Sequence, residues 1–108
     1  ANGYTETTDA TVTTDWDVFA IVVPAGGSPT INDVRIWVNG IEQALTTSSG
    51  ASTFNTASTN NVSIGAAQHE SAAPAYFNGQ FAKVMIYSRE LSDLEIKVIY
   101  RSILNRLV

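Results

Sequence analysis

The chain has 108 residues, 44% of them hydrophobic and 15% charged, with a formal charge of −4 and no cysteine, which is the size and apolar content of one globular domain. Six Lys and Arg against ten Asp and Glu, with no basic cluster, exclude the positive stripe that a nucleic-acid backbone requires, and the lack of cysteine excludes a disulfide framework and a thiolate metal site. No apolar run approaches the roughly 18 residues that span a bilayer, so no membrane insertion is expected, and the low charged fraction, made up by Thr, Ser and Asn, is typical of extracellular β proteins.

Residues 15–23 rise from a Thr-rich stretch into a run of β-branched and aromatic residues, which predicts a strand buried on both faces with Trp16 in the core. Two prolines and two glycines within 24–29 then stop the ladder. Residues 33–45 carry the clearest local signal. Asn39-Gly40 supplies the two positive-φ residues of a type I′ turn between alternating flanks, which predicts a hairpin. Its register sets Val38 opposite Ile41, Ile36 opposite Gln43 and Val34 opposite Leu45 on one face, and Trp37 opposite Glu42 with Arg35 opposite Ala44 on the other. The valine face is the expected core.

Residues 46–61, rich in Thr, Ser, Ala and Asn, read as an exposed connection with Phe54 as a plug beneath it. Residues 61–65 alternate and predict a short strand, 66–74 a surface loop carrying His69, and 77–87 the longest apolar strand of the C-terminal half. The period then changes. Ser92-Asp-Leu-Glu95 is a capping box that starts a helix, with Leu94, Ile96, Val98, Ile99, Ile103 and Leu107 as a broad apolar stripe and Lys97, Arg101 and Arg106 toward its C-terminal end.

In this order, the Trp16-led strand, Val34-Arg-Ile-Trp-Val-Asn-Gly-Ile41, Val62-Ser-Ile-Gly65 and the closing run from Phe77 to Ile96 resemble the C-terminal part of a laminin G-like domain of the concanavalin A-like lectin/glucanase superfamily. In that family a Trp-led strand, a hairpin of the "VRLYVNG" type and a short "LTIG" strand precede a closing strand and helix. The resemblance implies an all-β, antiparallel jelly-roll β-sandwich with one C-terminal helix, spanning 1–108 as a single domain. The family's acidic residue or pair in the closing strand is replaced by Ala82 and Lys83. The complete family sandwich is longer, so the expectation is a domain that lacks N-terminal strands and packs against another chain or a missing N-terminal segment.

Retaining glycoside hydrolysis needs two carboxylates about 5 Å apart, and Asp15-Trp-Asp17 is the one acidic-x-acidic pair at a strand. The third acid of the glucanase pattern is missing and His69 has no motif around it, so no enzyme is expected. Asp15, Asp17 and Asp33 are weak candidates for a calcium site of the rim-loop kind, but form no contiguous ligand loop; Asp and Asn that bond their own backbone are the ordinary alternative. No cofactor is expected otherwise. Glycan binding requires an exposed aromatic face beside planar polar groups. Trp37 with Arg35 and Glu42 is the leading candidate, with Tyr76 bordering a site, and packing of Trp37 between layers is the alternative.

The expected function is a non-catalytic carbohydrate- or protein-binding recognition or adhesion module at the cell or virion surface or outside the cell. The alternative is a structural assembly domain of a larger particle, since an open sheet face and free edges need a cover. A glucanase-type hydrolase comes last.

Overall fold

In the computed structural model, residues 4–8, 13–48, 64–67 and 75–107 are described. The Asn39-Gly40 turn organises the first part of the chain. Both residues have positive φ, 53° and 77°, the geometry of a type I′ turn whose twist matches the strands it joins. It connects β3 (Arg35–Val38) to the short β4 (Ile41–Glu42) with Trp37 opposite Glu42 and Val38 opposite Ile41, as the alternation predicts. β2 (Phe19–Val22) pairs antiparallel on the other edge of β3, setting Ala20 opposite Trp37 and Val22 opposite Arg35. Pairing across the hairpin ends at Gln43, whose N–H donates to the Ile36 carbonyl. Leu45 does not return to Val34. It opens β5 (Leu45–Ser48), which pairs with β1 (Tyr4–Thr7) in a separate two-stranded antiparallel sheet.

The helix α1 (Asp93–Leu107) starts where the capping box places it. The Glu95 N–H donates to Ser92 Oγ at 3.2 Å and the Ser92 N–H donates to Glu95 Oε2 at 2.8 Å, satisfying two donors that the first helical turn leaves open. Arg89 grips the same carboxylate through both guanidinium nitrogens, at 2.8 and 3.0 Å. A second capping box, Thr30 with Asp33, closes the 3₁₀ turn Ile31–Asp33 ahead of β3.

Contacts divide the chain into two compact units, Ala1–Phe54 with Tyr87–Val108, and Asn55–Ile86. In the first, Val22, Trp37 and Ile96 form the buried cluster, with Ala20 and Leu91 packed against it. The helix therefore covers the Ala20/Val22/Trp37 face of the three-stranded sheet. Tyr100, one turn beyond Ile96, lies over the hairpin turn so closely that a Cβ on Gly40 would stand 2.8 Å from its ring. In the second unit, β6 (Ala66–Ala67) pairs antiparallel with β7 (Ala75–Tyr76). Antiparallel sheets followed by one C-terminal helix fit a β-sandwich. Among the described residues no helix is long and apolar enough to cross a membrane.

Several expectations are corrected. Trp16 is 50% exposed rather than in the core, and β2 covers only four residues, with Phe19 and Ile21 exposed and Val22 buried. An unbroken apolar run does not by itself show that both faces are covered. Part of the expected connection at 46–61 is strand β5, whose Thr47 stands opposite Thr5 of β1 with their hydroxyls 3.1 Å apart. Threonine is polar yet fits a pleated strand well. Of the expected strand 61–65, residues 61–63 lie outside the described residues and Ile64 and Gly65 precede β6, while residues 77–87 are exposed and form neither strand nor helix. Among the described residues of that unit the ladder ends at Tyr76, and a strand forms only where a neighbour accepts its backbone hydrogen bonds. On α1 the covered face holds Ile96, with Ile99, Tyr100 and Ile103 half-buried, whereas Leu94 and Val98 are exposed. Phe54 and His69 lie outside the described residues.

The Glu95 carboxyl is held well below its ordinary value of 4.5, at about 2, by the Arg89 guanidinium first and then by the Ser92 N–H. A folded value below the unfolded one means that the cap's stabilisation is fully present above pH 4.5 and is lost as pH falls toward 2. Helical circular dichroism should decline across that interval, and Glu95→Gln should lower stability near neutrality while flattening the acid dependence.

Candidate functional site

The face chosen by the hairpin register does bring Trp37, Arg35 and Glu42 together. Trp37 and Glu42 are opposed across the hairpin, and the Arg35 guanidinium carbon lies 4.8 Å from the centre of the Trp37 ring. Trp37 is only 2% exposed, because the helix residue Ile96 covers this face. The guanidinium on the ring is itself engaged: Arg35 Nη2 donates to Glu90 Oε1 at 3.1 Å and Nη1 to Asp93 Oδ1 at 3.0 Å. The other Glu90 oxygen accepts the Ala25 N–H at 3.0 Å. This is a structural junction between β3, the 24–29 loop and the start of α1. The Trp37 ring presents no open face for stacking on a sugar, and Glu42 stands exposed at its edge without an aromatic platform.

Two of the three carboxylates weighed for calcium, those of Asp17 and Asp33, are committed to donors. Asp17 accepts from Asn39 Nδ2 (2.9 Å), the Thr13 N–H (2.8 Å) and the Thr13 hydroxyl (3.0 Å), and these bonds, that from Asn39 foremost, hold its pKa below the ordinary value. Asn39 completes the clamp: its Oδ1 accepts the Val18 N–H at 2.9 Å, and its own N–H donates to the Val18 carbonyl at 2.8 Å. Asp33 accepts both the N–H and hydroxyl of Thr30, the N–H being the main cause of its lowered pKa. The Asp15 N–H donates to Thr13 Oγ1 at 3.1 Å. A calcium site needs convergent oxygens with free lone pairs, whereas the Asp17 and Asp33 oxygens accept N–H and O–H donors at strand ends. Asp17 and Asp33 do not fit the ion. Among the described residues, no three acidic, His or Cys side chains are grouped to hold a metal.

The second unit presents open aromatic faces of the kind that Trp37 lacks. Tyr76, at 75% exposure, ends β7 opposite Ala66. The next N–H, that of Phe77, donates to the Gly65 carbonyl at 2.8 Å and fixes the exit of the chain. Phe77 and Phe81 then approach each other with ring centres 4.8 Å apart and planes tilted by 40°, while each remains more than half exposed. Both rings rest on glycine: a Cβ on Gly79 would stand 2.5 Å from the Phe77 ring, and one on Gly65 would stand 3.2 Å from Phe81. Asn78 and Gln80 alternate with the aromatic residues, and no charge occurs from Tyr76 through Ala82. Amides both donate and accept hydrogen bonds, so the segment combines apolar ring faces with neutral, two-way polar groups. Sequence reasoning picked out Tyr76 but assigned Phe81 to an apolar strand. The available signal was the Phe77-x-Gly79-x-Phe81 spacing, in which a glycine between two aromatic residues allows both rings to fold over the backbone.

Exposed aromatic residues on an antiparallel β framework are the kind of surface that a binding-type β domain presents. The chain belongs to the laminin G-like family described as the concanavalin A-like lectin/glucanases superfamily, whose pattern matches residues 1–97. No curated protein and no solved structure matches the chain.

Trp37→Ala should cost about 3–5 kcal/mol in urea unfolding, the range for truncating a buried aromatic residue. Removing Arg35 alone should cost less, about 1 kcal/mol, because its ion pairs are partly exposed and its stacking on the ring is a surface contact.

Proposed function

We propose that the domain is a non-catalytic recognition module that binds neutral carbohydrate through the surface formed by Tyr76, Phe77 and Phe81, with Asn78 and Gln80 supplying hydrogen bonds to hydroxyl groups. One observation carries this reading: the two phenylalanine rings are paired yet exposed, in a stretch free of charge. Sugar rings offer C–H faces to an aromatic plane and hydroxyls to an amide, and small-ligand recognition generally couples an apolar lining to a few placed polar groups. Family membership supports a binding role. On this reading the sheets belong to an antiparallel jelly-roll sandwich, and the domain acts outside the cell or on a cell or virion surface.

A second reading, a structural assembly domain of a larger particle, has its own observation. Phe19, Ile21 and Ile41 all occupy the sheet face opposite Trp37, and each is more than half exposed. A contiguous apolar face of this kind is ordinarily covered. Light scattering separates the two: a stable monomer that binds glycan removes the assembly reading, and concentration-dependent oligomers support it.

The binding reading is tested by affinity electrophoresis through gels containing a neutral β-glucan, xylan or galactan, comparing wild type with Phe77→Ala and Phe81→Ala. Retardation by at least one polysaccharide is expected. Each truncation should weaken it roughly tenfold, the equivalent of about 1.4 kcal/mol, while circular dichroism stays unchanged. Equal retardation of wild type and both variants would remove these rings from the site.

A further inference from the structure

The sequence contains Asn-Gly at 2–3, 39–40 and 78–79, and the structure treats the two pairs among the described residues, 39–40 and 78–79, in opposite ways. Asparagine followed by glycine is prone to an intramolecular reaction, because glycine has no side chain to hinder its own nitrogen. The Gly nitrogen attacks the Asn Cγ; a C–N bond forms, the Cγ–Nδ2 bond breaks, and the amide nitrogen leaves as ammonia with the proton that the Gly nitrogen gives up. Water then opens the cyclic imide. Attack at the former side-chain carbonyl gives aspartate, and attack at the backbone carbonyl gives isoaspartate, which reroutes the chain through Cβ. Either product makes the protein more negative by one charge.

We propose that Asn78-Gly79 is a site of this spontaneous modification and that Asn39-Gly40 is held against it by Asp17 and Val18. Attack requires the carboxamide to swing over its own backbone toward the following nitrogen. At Asn39 both ends of the carboxamide are bound, Nδ2 to Asp17 Oδ1 and Oδ1 to the Val18 N–H, each at 2.9 Å. The backbone is fixed as well, by the positive φ of the turn and the bond from its N–H to the Val18 carbonyl. Tyr100 closes over Gly40. The reaction there must first break a charge-assisted hydrogen bond and a second, neutral one.

Asn78 stands in the opposite situation. It is exposed, lies in neither strand nor helix, and among the described residues no hydrogen bond holds its side chain. The nearest group to Gly79 apart from its chain neighbours is the Phe77 ring, set against its α-carbon. A carboxylate arising at 78 falls between Phe77 and Phe81 in an otherwise uncharged stretch, so the modification changes the chemistry of the most exposed aromatic surface described. The inference does not depend on what that surface binds.

The experiment incubates the full chain at mildly alkaline pH and body temperature. Conversion at each Asn is followed by peptide mapping with a fragmentation method that separates aspartate from isoaspartate; Asn2-Gly3, outside the described residues, is read separately. Asn78 should convert at least about tenfold faster than Asn39 in the folded chain, a ratio equivalent to about 1.4 kcal/mol in barrier. In strong denaturant the two rates should become equal, and Asp17→Ala should raise the Asn39 rate toward that of Asn78. Equal rates in the folded chain would overturn the proposal, and so would persistence of Asn78 while a peptide spanning 75–82 converts. Faster reaction at Asn39 would overturn it too, since the Val18 N–H would then be polarising the amide for attack instead of restraining it.

Discussion

The burial of one ring, Trp37, is the contact on which the first unit depends. β3 is the central strand of its sheet, so a side chain in its middle meets neighbours from both flanking strands, and Trp37 adds the helix to them through Ile96. Arg35, on the same face, lies against the ring and holds Glu90 and Asp93, while Glu90 also holds the Ala25 N–H. The magnitudes order these contributions. Truncating a buried tryptophan costs several kcal/mol, whereas a partly exposed ion pair contributes about 1 kcal/mol or less. Burial supplies the stability, and the arginine fork fixes where the 24–29 loop and the helix start are attached.

The same burial redirects the functional reading. A strand's alternation divides its side chains between two faces but does not say which face the rest of the chain will cover. The hairpin register correctly groups Trp37, Arg35 and Glu42. What it lacks is the helix, which arrives more than fifty residues later and settles on that group. The valine face shares in the core through Val34 and Val38, yet Phe19, Ile21 and Ile41 beside them remain open. An aromatic residue at the centre of a sheet is thus decided by packing, and the most exposed aromatic residues, Tyr76, Phe77 and Phe81, lie in a unit with little regular structure.

Features set by a few adjacent residues were legible in the sequence. Asn39-Gly40 makes a type I′ turn because both positions must take positive φ, and Ser92-x-x-Glu95 caps a helix because the two side chains reach each other's backbone; neither requires a distant partner. Features set by long-range pairing were not legible. β5 finds β1 some forty residues away and does so through threonines, a residue type shared by strands and loops. The apolar run 77–87 has a strand's composition without a ladder to join, and Trp16 leads a strand without lying beneath anything. Family membership was legible because it rests on the order of local signals, which survives even where individual elements shift by a few residues.

On the proposed reading, the second unit binds through a surface that its own aromatic pair orders. Its ladder pairs only two residues on each side, and an isolated two-stranded ribbon is at best marginal in water. What orders the surface beyond Tyr76 is the Phe77–Phe81 pair resting on Gly79 and Gly65, an aromatic contact of about 1 kcal/mol. A ligand laid across both rings adds contacts to the element that orders the segment, so its binding and the ordering are thermodynamically linked. Part of the stacking energy is then offset by the entropy of fixing the chain. Affinity should accordingly respond to changes at Gly65 and Gly79, which touch the rings only from beneath, as well as to changes in the rings themselves.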